Sequence, residues 1–414
     1  MPSSLDGESS LPCISRSFLL DDVLIERTER LEALRERAFG PRTEEDRLYA
    51  KDPSTLRPNE KWWRDHYGVL IERGYTLRPR FDPNWTPPWP GTGRYYMEFE
   101  EGQQFKRAQI LDATRNADGA WVTLKRLDMD EGRSDMEEVG INRYLSSEPL
   151  TSDPRNHCAQ ALEIFTIPDA PNQDVYIMVM PTLRPFDDPT FDTFGEAIAF
   201  FTQLFEGLQF LHERKIAHRD CCRPNIMMDA SQMYPDLWHF VKTNMRKDWK
   251  GKAKHYTRTE RPVKYYYLDF GLSQRYQAES TSTWLPLALP VHGADKTAPE
   301  NSDDKYETPC NPFATDIYYL GNLIRQSFMQ RYYGFGFMKK LVADMVQDEP
   351  SRRPSINEVV ARFAKIRESL HFWKLRSRTT RKKEWKVVTL WRYPPHIIRT
   401  IRFIVMRKPA IPDP

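Results

Sequence analysis

Four short motifs, arranged in order along the middle of the chain, constrain the fold most strongly. They are VTLK at 122–125, HRDCCRPN at 218–225, LDFG at 268–271 and APE at 298–300. Each motif alone says little, because an isolated Asp-Phe-Gly is usually a turn and an isolated lysine on a strand usually points to water. Together they predict a cleft in which charged side chains distant in sequence meet: Lys125, Asp220, Asn225 and Asp269.

Hydrophobic periodicity places these motifs on regular elements. AQILDATR and AWVTLKRL are apolar, β-rich runs joined by NADG, which predicts a hairpin over 108–127. A helix is predicted over 135–146, with Ser134 and Glu137 as a capping box, and VYIMVMP predicts a buried strand. Apolar residues then recur on one face of a long helix: Ala197, Ile198, Phe201, Leu204, Phe205, Leu208 and Leu211. Strands followed by helices indicate a two-lobed α+β arrangement.

The motifs and their order resemble the protein kinase superfamily from about residue 95 to residue 372. The resemblance implies a bilobal fold with a β-rich N-lobe and a mainly helical C-lobe whose helices are trimmed. Longer stretches, among them GFMKKLVADMVQDEPSRRP, resemble an expanded group of fungal protein kinase-like proteins. The implied divisions are an N-terminal extension at 1–92, an N-lobe at 93–183, a C-lobe at 184–372 and a tail at 373–414.

The resemblance also implies roles for two charged residues of the N-lobe. Lys125 would contact the α- and β-phosphates of ATP, and a glutamate on the following helix would hold the lysine in place. Two glutamates are adjacent there. Glu138 is favoured over Glu137, because the apolar residues after it then take the offsets usual in the family and Glu137 is free to cap the helix.

The remaining catalytic parts implied by the resemblance lie between the lobes and in the C-lobe. Asp220 would be the catalytic base, and Asn225 and Asp269 would hold Mg²⁺ through their oxygen atoms. The strand IMVM would supply Met180 as the gatekeeper, and the following PTL would supply the hinge with Pro181 and Leu183. The adenine of ATP would lie against these residues.

Two features depart from the family pattern. No glycine-rich loop precedes AQILDATR; EFEEGQQFKR stands there with Gly102 alone, and Glu100 and Glu101 would repel a nucleotide beneath them. A lysine usually stands two residues after the base in serine/threonine kinases, but here the position is Cys222 and the nearest cation is Arg223. The sequence therefore predicts that the protein binds ATP weakly, or through contacts other than those of a glycine-rich loop. We interpret the paired cysteines of this loop as small packing residues rather than redox switches.

Further matches in the C-lobe favour a protein kinase over a small-molecule kinase. By the resemblance, Glu300 would form a buried ion pair with Arg353, and Asp316 would anchor the catalytic loop. Arg219 would pair with a phosphate on the activation segment, where residues 280–283 are the candidates. A flexible polar loop is an equally good interpretation of that segment.

Three segments fall outside the motifs. Before residue 93, a helix is predicted from Asp21 or Asp22 to Phe39, and the Trp-, Arg- and Pro-rich stretch 52–92 is predicted to be an irregular connector without helix or central strand. The insert at 230–264 would either recruit an acidic partner or form a solvated, mobile loop, and we favour the loop. Nine basic residues occur in it: Lys242, Arg246, Lys247, Lys250, Lys252, Lys254, Arg258, Arg261 and Lys264.

The tail combines bases with aromatic residues. Between residues 374 and 408 the single acid is Glu384, and Trp385, Trp391 and Phe403 are interleaved with twelve bases: Lys374, Arg376, Arg378, Arg381, Lys382, Lys383, Lys386, Arg392, Arg399, Arg402, Arg407 and Lys408. This composition suits an anionic membrane or nucleic acid. It also suits a tail whose aromatic residues pack on the body while its bases face water, which is the interpretation we favour.

The sequence therefore predicts an ATP- and Mg²⁺-dependent protein kinase acting on Ser/Thr, with Asp220 as base and a protein substrate that the sequence does not identify. The alternative is a pseudokinase, a binding module favoured by the missing glycine loop and by Cys222. A net charge of +3 points to no particular partner, and five scattered cysteines indicate a reducing compartment. With no apolar run long enough to cross a bilayer, we expect a cytoplasmic or nuclear protein.

Overall fold

The computed structural model describes residues 54–103, 109–128, 135–170, 173–276 and 286–414. Its first elements are helix α1 (Pro58–Asp65), helix α2 (Tyr67–Glu72) and strand β1 (Tyr75–Leu77). The prediction of an irregular connector over 52–92 is therefore wrong for its first half, where a proline in the first turn is compatible with a helix start. The helix predicted to end at Phe39 lies outside the described residues.

A five-stranded antiparallel sheet forms the N-lobe, with strand order β1-β2-β3-β5-β4. The predicted hairpin is confirmed, because Thr114 pairs with Trp121 across the turn. The predicted helix and buried strand are also confirmed. The elements are β2 (Ile110–Arg115), β3 (Trp121–Asp128), α3 (Asp135–Leu145), β4 (Glu163–Ala170) and β5 (Gln173–Pro181).

The segment before residue 92 packs directly on this sheet. Trp63, Leu70 and Phe81 join one buried cluster with Leu111 and Val122 of the sheet. Fully burying an apolar side chain of this size stabilises a fold by about 2 kcal/mol. Helices α1 and α2 and strand β1 thus form one packed unit with the strands that follow. This unit extends across the boundary predicted at residue 92.

The C-lobe is mainly helical, so the predicted two-lobed α+β architecture is confirmed. Its central helix is the long apolar helix predicted from the sequence, capped at its start by Thr193, whose side chain accepts from the N–H of Glu196 at 3.1 Å. The elements are β6 (Arg184–Pro185), α4 (Phe194–Glu213), β7 (Ile216–Ala217), β8 (Ile226–Met228), β9 (Tyr265–Tyr267), β10 (Gln274–Arg275), α5 (Pro312–Ile324), α6 (Lys339–Met345), α7 (Ile356–Ser369), α8 (Phe372–Arg376) and α9 (Lys386–Val405).

The trimming predicted for the C-lobe lies between α5 and α6. A π-helical turn at Arg325–Met329 follows α5 directly, and the fully described stretch 330–338 holds no α-helix. No helix in the described ranges is long and apolar enough to span a bilayer.

The interpretation of residues 230–264 as a solvated loop is wrong. The insert leaves the hairpin of β8 and β9 and packs inward, so that Trp238 and Arg258 are each 2% exposed. Arg258 donates through Nη2 to the carbonyls of Phe186 and Pro189 at 2.8 and 2.7 Å, so main-chain acceptors bind this buried guanidinium. The insert is therefore part of the folded body.

The interpretation favoured for the tail is also wrong for most of its aromatic residues. Trp385 and Trp391 are 79% and 77% exposed, whereas Phe403 is buried. Several bases face the body instead of water; Arg399 binds Asp192 at 2.8 Å, for example. The tail thus presents aromatic and aliphatic side chains outward.

Candidate active site

Lys125 on β3 binds two carboxylates that come from different parts of the chain. Its Nζ lies 2.6 Å from Oε1 of Glu138 on α3 and 2.8 Å from Oδ1 of Asp269. Glu138 is buried, whereas Glu137 is exposed. Lys125 faces the cleft because side chains alternate along β3, which also directs Thr123 to that face.

The charges of this group stabilise one another. Burial lowers the pKa of Lys125, but the carboxylates of Glu138 and Asp269 outweigh burial, and the net shift is upward. Burial raises the pKa of Asp269, and Lys125 reverses that effect so that the net shift is downward. Asp269 also has a left-handed φ of 64°, a strained conformation of the kind that concentrates at functional sites.

Asp220 lies in the loop between β7 and β8, and both of its oxygens accept hydrogen bonds. Oδ1 accepts from the backbone N–H of Ala294 and from the Cys222 thiol, each at 3.0 Å. Oδ2 accepts from Nδ2 of Asn225 at 2.7 Å. A carboxylate offers about four lone-pair sites, so Oδ2 keeps one site for a further donor.

Asp316 anchors this loop from α5, as predicted. Its Oδ2 and Oδ1 accept from the backbone N–H groups of His218 and Arg219 at 2.8 and 2.7 Å, and Nε2 of His212 lies 2.9 Å from Oδ2. Burial raises the pKa of Asp316, but the hydrogen bonds and the charge of His212 prevail and lower it. A buried carboxylate thus holds the main chain next to Asp220.

Residues 289–294, shortly before the APE motif, pack against the same loop. A Cβ added to Gly293 would lie 2.3 Å from Oδ1 of Asp220, so this position requires glycine for the close approach. Arg219 donates to the carbonyl of Leu289. The predicted phosphate acceptors at 280–283 lie outside the described residues.

The predicted buried ion pair at the end of the segment is confirmed. Arg353 binds both oxygens of Glu300, at 2.6 and 2.7 Å, and Thr315 donates to Oε1 of Glu300 at 2.7 Å. Burial raises the pKa of Glu300, and Arg353 together with Thr315 more than reverses it. The two-point contact with Arg353 ties Glu300 to the turn before α7, and Thr315 ties it to α5.

One cavity between the lobes collects most of the predicted site residues: Lys125, Glu138, Met180, Pro181, Leu183, Asn225 and Asp269. Asp220 and Arg223 are not among the described residues that line it. The cavity measures about 100 Å³, whereas pockets that bind drug-sized ligands have volumes of about 300–1,000 Å³. A nucleotide would therefore require the cavity to widen.

The insert supplies one wall of this cavity, which sequence reasoning missed. Phe240 lines the cavity beside Met180 and Leu183. Its neighbour Trp238 packs edge-on against Trp121 of β3 at 5.3 Å, and Trp249 donates to the carbonyl of Glu98 at 2.7 Å. The aromatic run in YPDLWHF was the available signal, but nothing in the run indicates which surface it meets.

The segment in place of a glycine-rich loop is built differently from the prediction. A Cβ on Gly102 would lie 2.0 Å from the Tyr96 carbonyl, so this glycine serves a local turn. Glu100 does not stand unpaired over the cavity; it binds Arg78 at 3.3 Å and His239 at 3.0 Å. Burial raises the pKa of Glu100, and these two partners reverse the shift.

Arg223 and the two cysteines differ in their surroundings. Arg223 is exposed and binds Asp187 at 2.8 Å, so the structure does not bring it to Asp220. Cys221 and Cys222 are buried, and burial followed by neighbouring carboxylates raises the pKa of both thiols. Both are therefore protonated near neutral pH, which agrees with a packing role.

The residues present fit Mg²⁺ as part of a complex with phosphate. No cluster of three or more His, Cys, Asp or Glu side chains in the described ranges is placed to hold a metal ion. Mg²⁺, however, usually takes one or two protein carboxylates together with substrate phosphates and water. Asp269 with the side-chain oxygen of Asn225 supplies such a set, and Leu268 connects them by donating to the Asn225 carbonyl at 2.9 Å.

Comparison with known proteins gives a partial match. No family model matches the sequence. The serine/threonine-protein kinase CAK1 of Saccharomyces cerevisiae is 24% identical over 198 residues, covering 48% of this chain and 46% of CAK1. The match thus spans slightly less than half of that relative. The crystal structure of the Rad53 kinase domain and SCD2 is 14% identical, covers 61% of this chain and 85% of that one, and has a TM-score of 0.38, too low to carry an argument.

The sequence motifs, the convergence of Lys125, Glu138 and Asp269, and the match to CAK1 agree with one another. The two lobes and the anchoring of residues 218 and 219 by the buried Asp316 are consistent with the same relationship. These observations together support a relationship to the protein kinase-like superfamily.

Proposed function

We propose that this chain is a protein kinase that transfers the γ-phosphate of ATP to Ser/Thr hydroxyls, with Asp220 as catalytic base. The observation that carries the proposal is the Lys125–Glu138–Asp269 group on one wall of the interlobe cavity. Phosphoryl transfer asks mainly for charge placed against a triphosphate and for a carboxylate that orients the incoming hydroxyl. The partial similarity to a serine/threonine kinase is the reason for the acceptor type.

Each residue has a distinct task in this proposal. Lys125 would bind the α- and β-phosphates once Asp269 turns toward the metal. Met180, Pro181 and Leu183 would line the adenine site. Bound Mg²⁺ would neutralise charge on the phosphates, and Asn225 and Asp269 would hold it.

Asp220 would act through Oδ2. The Ala294 N–H and the Cys222 thiol engage Oδ1, whereas Oδ2 accepts only the Asn225 amide among the described contacts. A substrate hydroxyl would donate to the remaining lone pair of Oδ2 and pass its proton there. Asn225 would fix the orientation of that oxygen.

Arg223 would serve as the cation near the γ-phosphate only after leaving Asp187. The side chain of Arg223 is 52% exposed, and an exposed ion pair of this kind is worth about 1 kcal/mol or less. A triphosphate carries more charge than one carboxylate. The long and flexible side chain of Arg223 can therefore leave Asp187 for the γ-phosphate at little cost in free energy.

A pseudokinase is the second candidate, and specific observations favour it. The cavity measures about 100 Å³, Cys222 stands where serine/threonine kinases usually have a lysine, and the sequence has no glycine-rich motif before β2. A pseudokinase of this kind would bind partners through its surface and bind nucleotide weakly or not at all.

Radiolabel transfer from ATP to the chain itself or to a generic protein tests the proposal. We expect Asp220→Ala to reduce transfer by roughly 10³-fold without changing the Mg-ATP affinity, and Asp303→Ala, on an exposed residue, to leave transfer unchanged. Transfer that persists in Asp220→Ala contradicts the assigned base. A thermal-shift titration separates the candidates, because a nucleotide-silent pseudokinase shows no shift with Mg-ATP.

A further inference from the structure

The outward face of α9 is apolar along its whole length. Residues at helical spacing share this face, and all are more than half exposed: Val387 63%, Leu390 72%, Trp391 77%, Ile397 52%, Ile398 68%, Ile401 57% and Val405 76%. Soluble monomers rarely expose a continuous patch of this kind, and such patches mark interaction sites. We name this set the α9 face.

The opposite side of α9 is firmly fixed to the C-lobe. Phe403 and His396 are buried, and Nε2 of His396 lies 3.1 Å from the Arg376 carbonyl. Arg399 binds Asp192 at 2.8 Å. Just beyond the helix, a Cβ on Gly195 would lie 1.8 Å from the Ala410 carbonyl, so the chain packs closely on α4 there. The α9 face is thus held outward by the fold.

Positive charge surrounds the α9 face. Arg392 and Arg402 flank it with side chains 61% and 62% exposed, and Arg381, Lys382 and Lys383 are exposed just before the helix. No acid occurs in residues 385–408, and Glu384 is 7% exposed and bound by Arg378 at 2.7 Å. The face is therefore bordered by an excess of bases, of which Arg392 lies 3.4 Å from Glu384 and Arg402 lies 3.8 Å from Glu260.

We propose that the α9 face binds the surface of an anionic lipid bilayer, with the helix lying in the plane of the interface. An amphipathic helix with Trp and aliphatic residues on one side and Arg or Lys at its borders has the composition of interfacial helices. The apolar side chains enter the headgroup boundary, and the bases bind acidic headgroups. A nucleic acid would bind the arginine and lysine side chains through its phosphates, but it would leave the seven exposed apolar side chains without an apolar partner.

Vesicle co-sedimentation of the full chain tests this proposal. The probes are phosphatidylcholine vesicles and vesicles of phosphatidylcholine mixed with phosphatidylserine. We expect binding to the mixed vesicles that weakens with added salt, and much weaker binding to phosphatidylcholine alone. The double variant Trp391→Glu/Ile398→Glu should bind at least roughly tenfold more weakly, because two charges would enter the apolar layer.

Matched controls separate folding from binding. Met136→Glu places the same charge on an exposed apolar residue of α3, 54% exposed in the N-lobe, and should leave vesicle binding unchanged. Thermal unfolding midpoints of all variants should agree with the parent chain, since the substituted side chains face solvent.

Several results would overturn the proposal. The proposal fails if the parent chain does not bind the mixed vesicles. It also fails if the double variant and the parent bind them equally. A dimer in sedimentation velocity that the double variant abolishes, without vesicle binding, would assign the α9 face to a second copy of this chain. Binding to duplex DNA that survives the double substitution, again without vesicle binding, would assign the tail to nucleic acid.

Discussion

Two regions on either side of the interlobe cavity are built by different means. The cleft floor comprises residues 218–225, Asp269 and the anchors Asp316, Glu300 and Arg353, and buried carboxylates organise it by accepting from main-chain and charged donors. The lobe bridge comprises insert residues 238–249 with Trp121, Glu98 and Glu100. Aromatic packing and one buried ionic cluster hold the lobe bridge.

The cleft floor would serve phosphoryl transfer, whereas the lobe bridge would control the access of nucleotide to the cavity. The cleft floor fixes the groups that would act on a phosphate, and its polar geometry tolerates little change because a buried group that loses its partner cannot bind water instead. The lobe bridge joins a C-lobe insert to the N-lobe and places Phe240 in the cavity. Changes to the cleft floor should therefore damage stability and transfer, whereas changes to the lobe bridge should alter nucleotide binding.

Breaking the Arg353–Glu300 pair should have the largest effect on stability. Arg353→Met leaves a 4% exposed carboxylate without its guanidinium, and such a loss costs about 3–5 kcal/mol. Chemical denaturation measures the free energy of unfolding. The double variant Glu300→Leu/Arg353→Met removes both charges and should recover most of the loss. A single-variant cost below about 1 kcal/mol would contradict the importance of this pair.

Asp316→Asn should have the next largest effect. The asparagine keeps one oxygen for two backbone donors and turns an NH₂ group toward the other, which costs about 2–3 kcal/mol of folding free energy. Displacement of the loop should reduce transfer roughly 100-fold if the chain is active. Asp344→Asn, at the partly exposed pair with Arg362, is the control and should cost about 0.5 kcal/mol. Equal losses in the two variants would contradict the anchoring role.

The cleft floor was largely predictable from the sequence, because its residues occur in contiguous motifs whose types match one chemistry. Asp316 and the Glu300–Arg353 pair were predicted from motif positions and are found in contact. Arg223 shows the limit. This cation, one residue from the expected place, binds Asp187 and not Asp220.

The lobe bridge and the α9 face could not be predicted. Charge composition suggested a solvated insert, yet Trp238 and Arg258 are buried, since aromatic packing and main-chain acceptors outweigh the charge of the segment. In the tail, two adjacent prolines argue against a helix, but α9 continues through Pro394 and Pro395. Tertiary contacts decided both cases: Trp238 packs on Trp121 of β3, and α9 is held by Asp192 and by the Arg376 carbonyl. A single sequence does not record these contacts.

Glu100→Gln should weaken the lobe bridge by about 1.5 kcal/mol, because the variant loses the charge that His239 and Arg78 bind. The folded pKa of Glu100 is depressed, so its contribution is complete above the ordinary value of 4.5 and disappears as pH falls through the lower folded pKa. Glu101→Gln, which removes the neighbouring carboxylate, is the control and should change the free energy of unfolding by less. The stability difference between Glu100→Gln and the parent, measured by denaturation, should shrink as pH falls below 4.5. A difference that stays constant to low pH would refute the ionic contribution.

Phe240→Ala should have the smallest effect, and it tests directly whether the lobe bridge limits access to the cavity. Removing the ring enlarges a cavity of about 100 Å³, so Mg-ATP should bind roughly three- to tenfold more tightly, or about 0.7–1.4 kcal/mol. Trp238 stays in place, so the remaining contacts of the lobe bridge persist. Phe240→Leu keeps most of the apolar volume and should change the affinity little. If the ring instead stacks on the adenine, both substitutions weaken binding in a calorimetric titration, and the lobe bridge would then contribute to nucleotide recognition instead of limiting access.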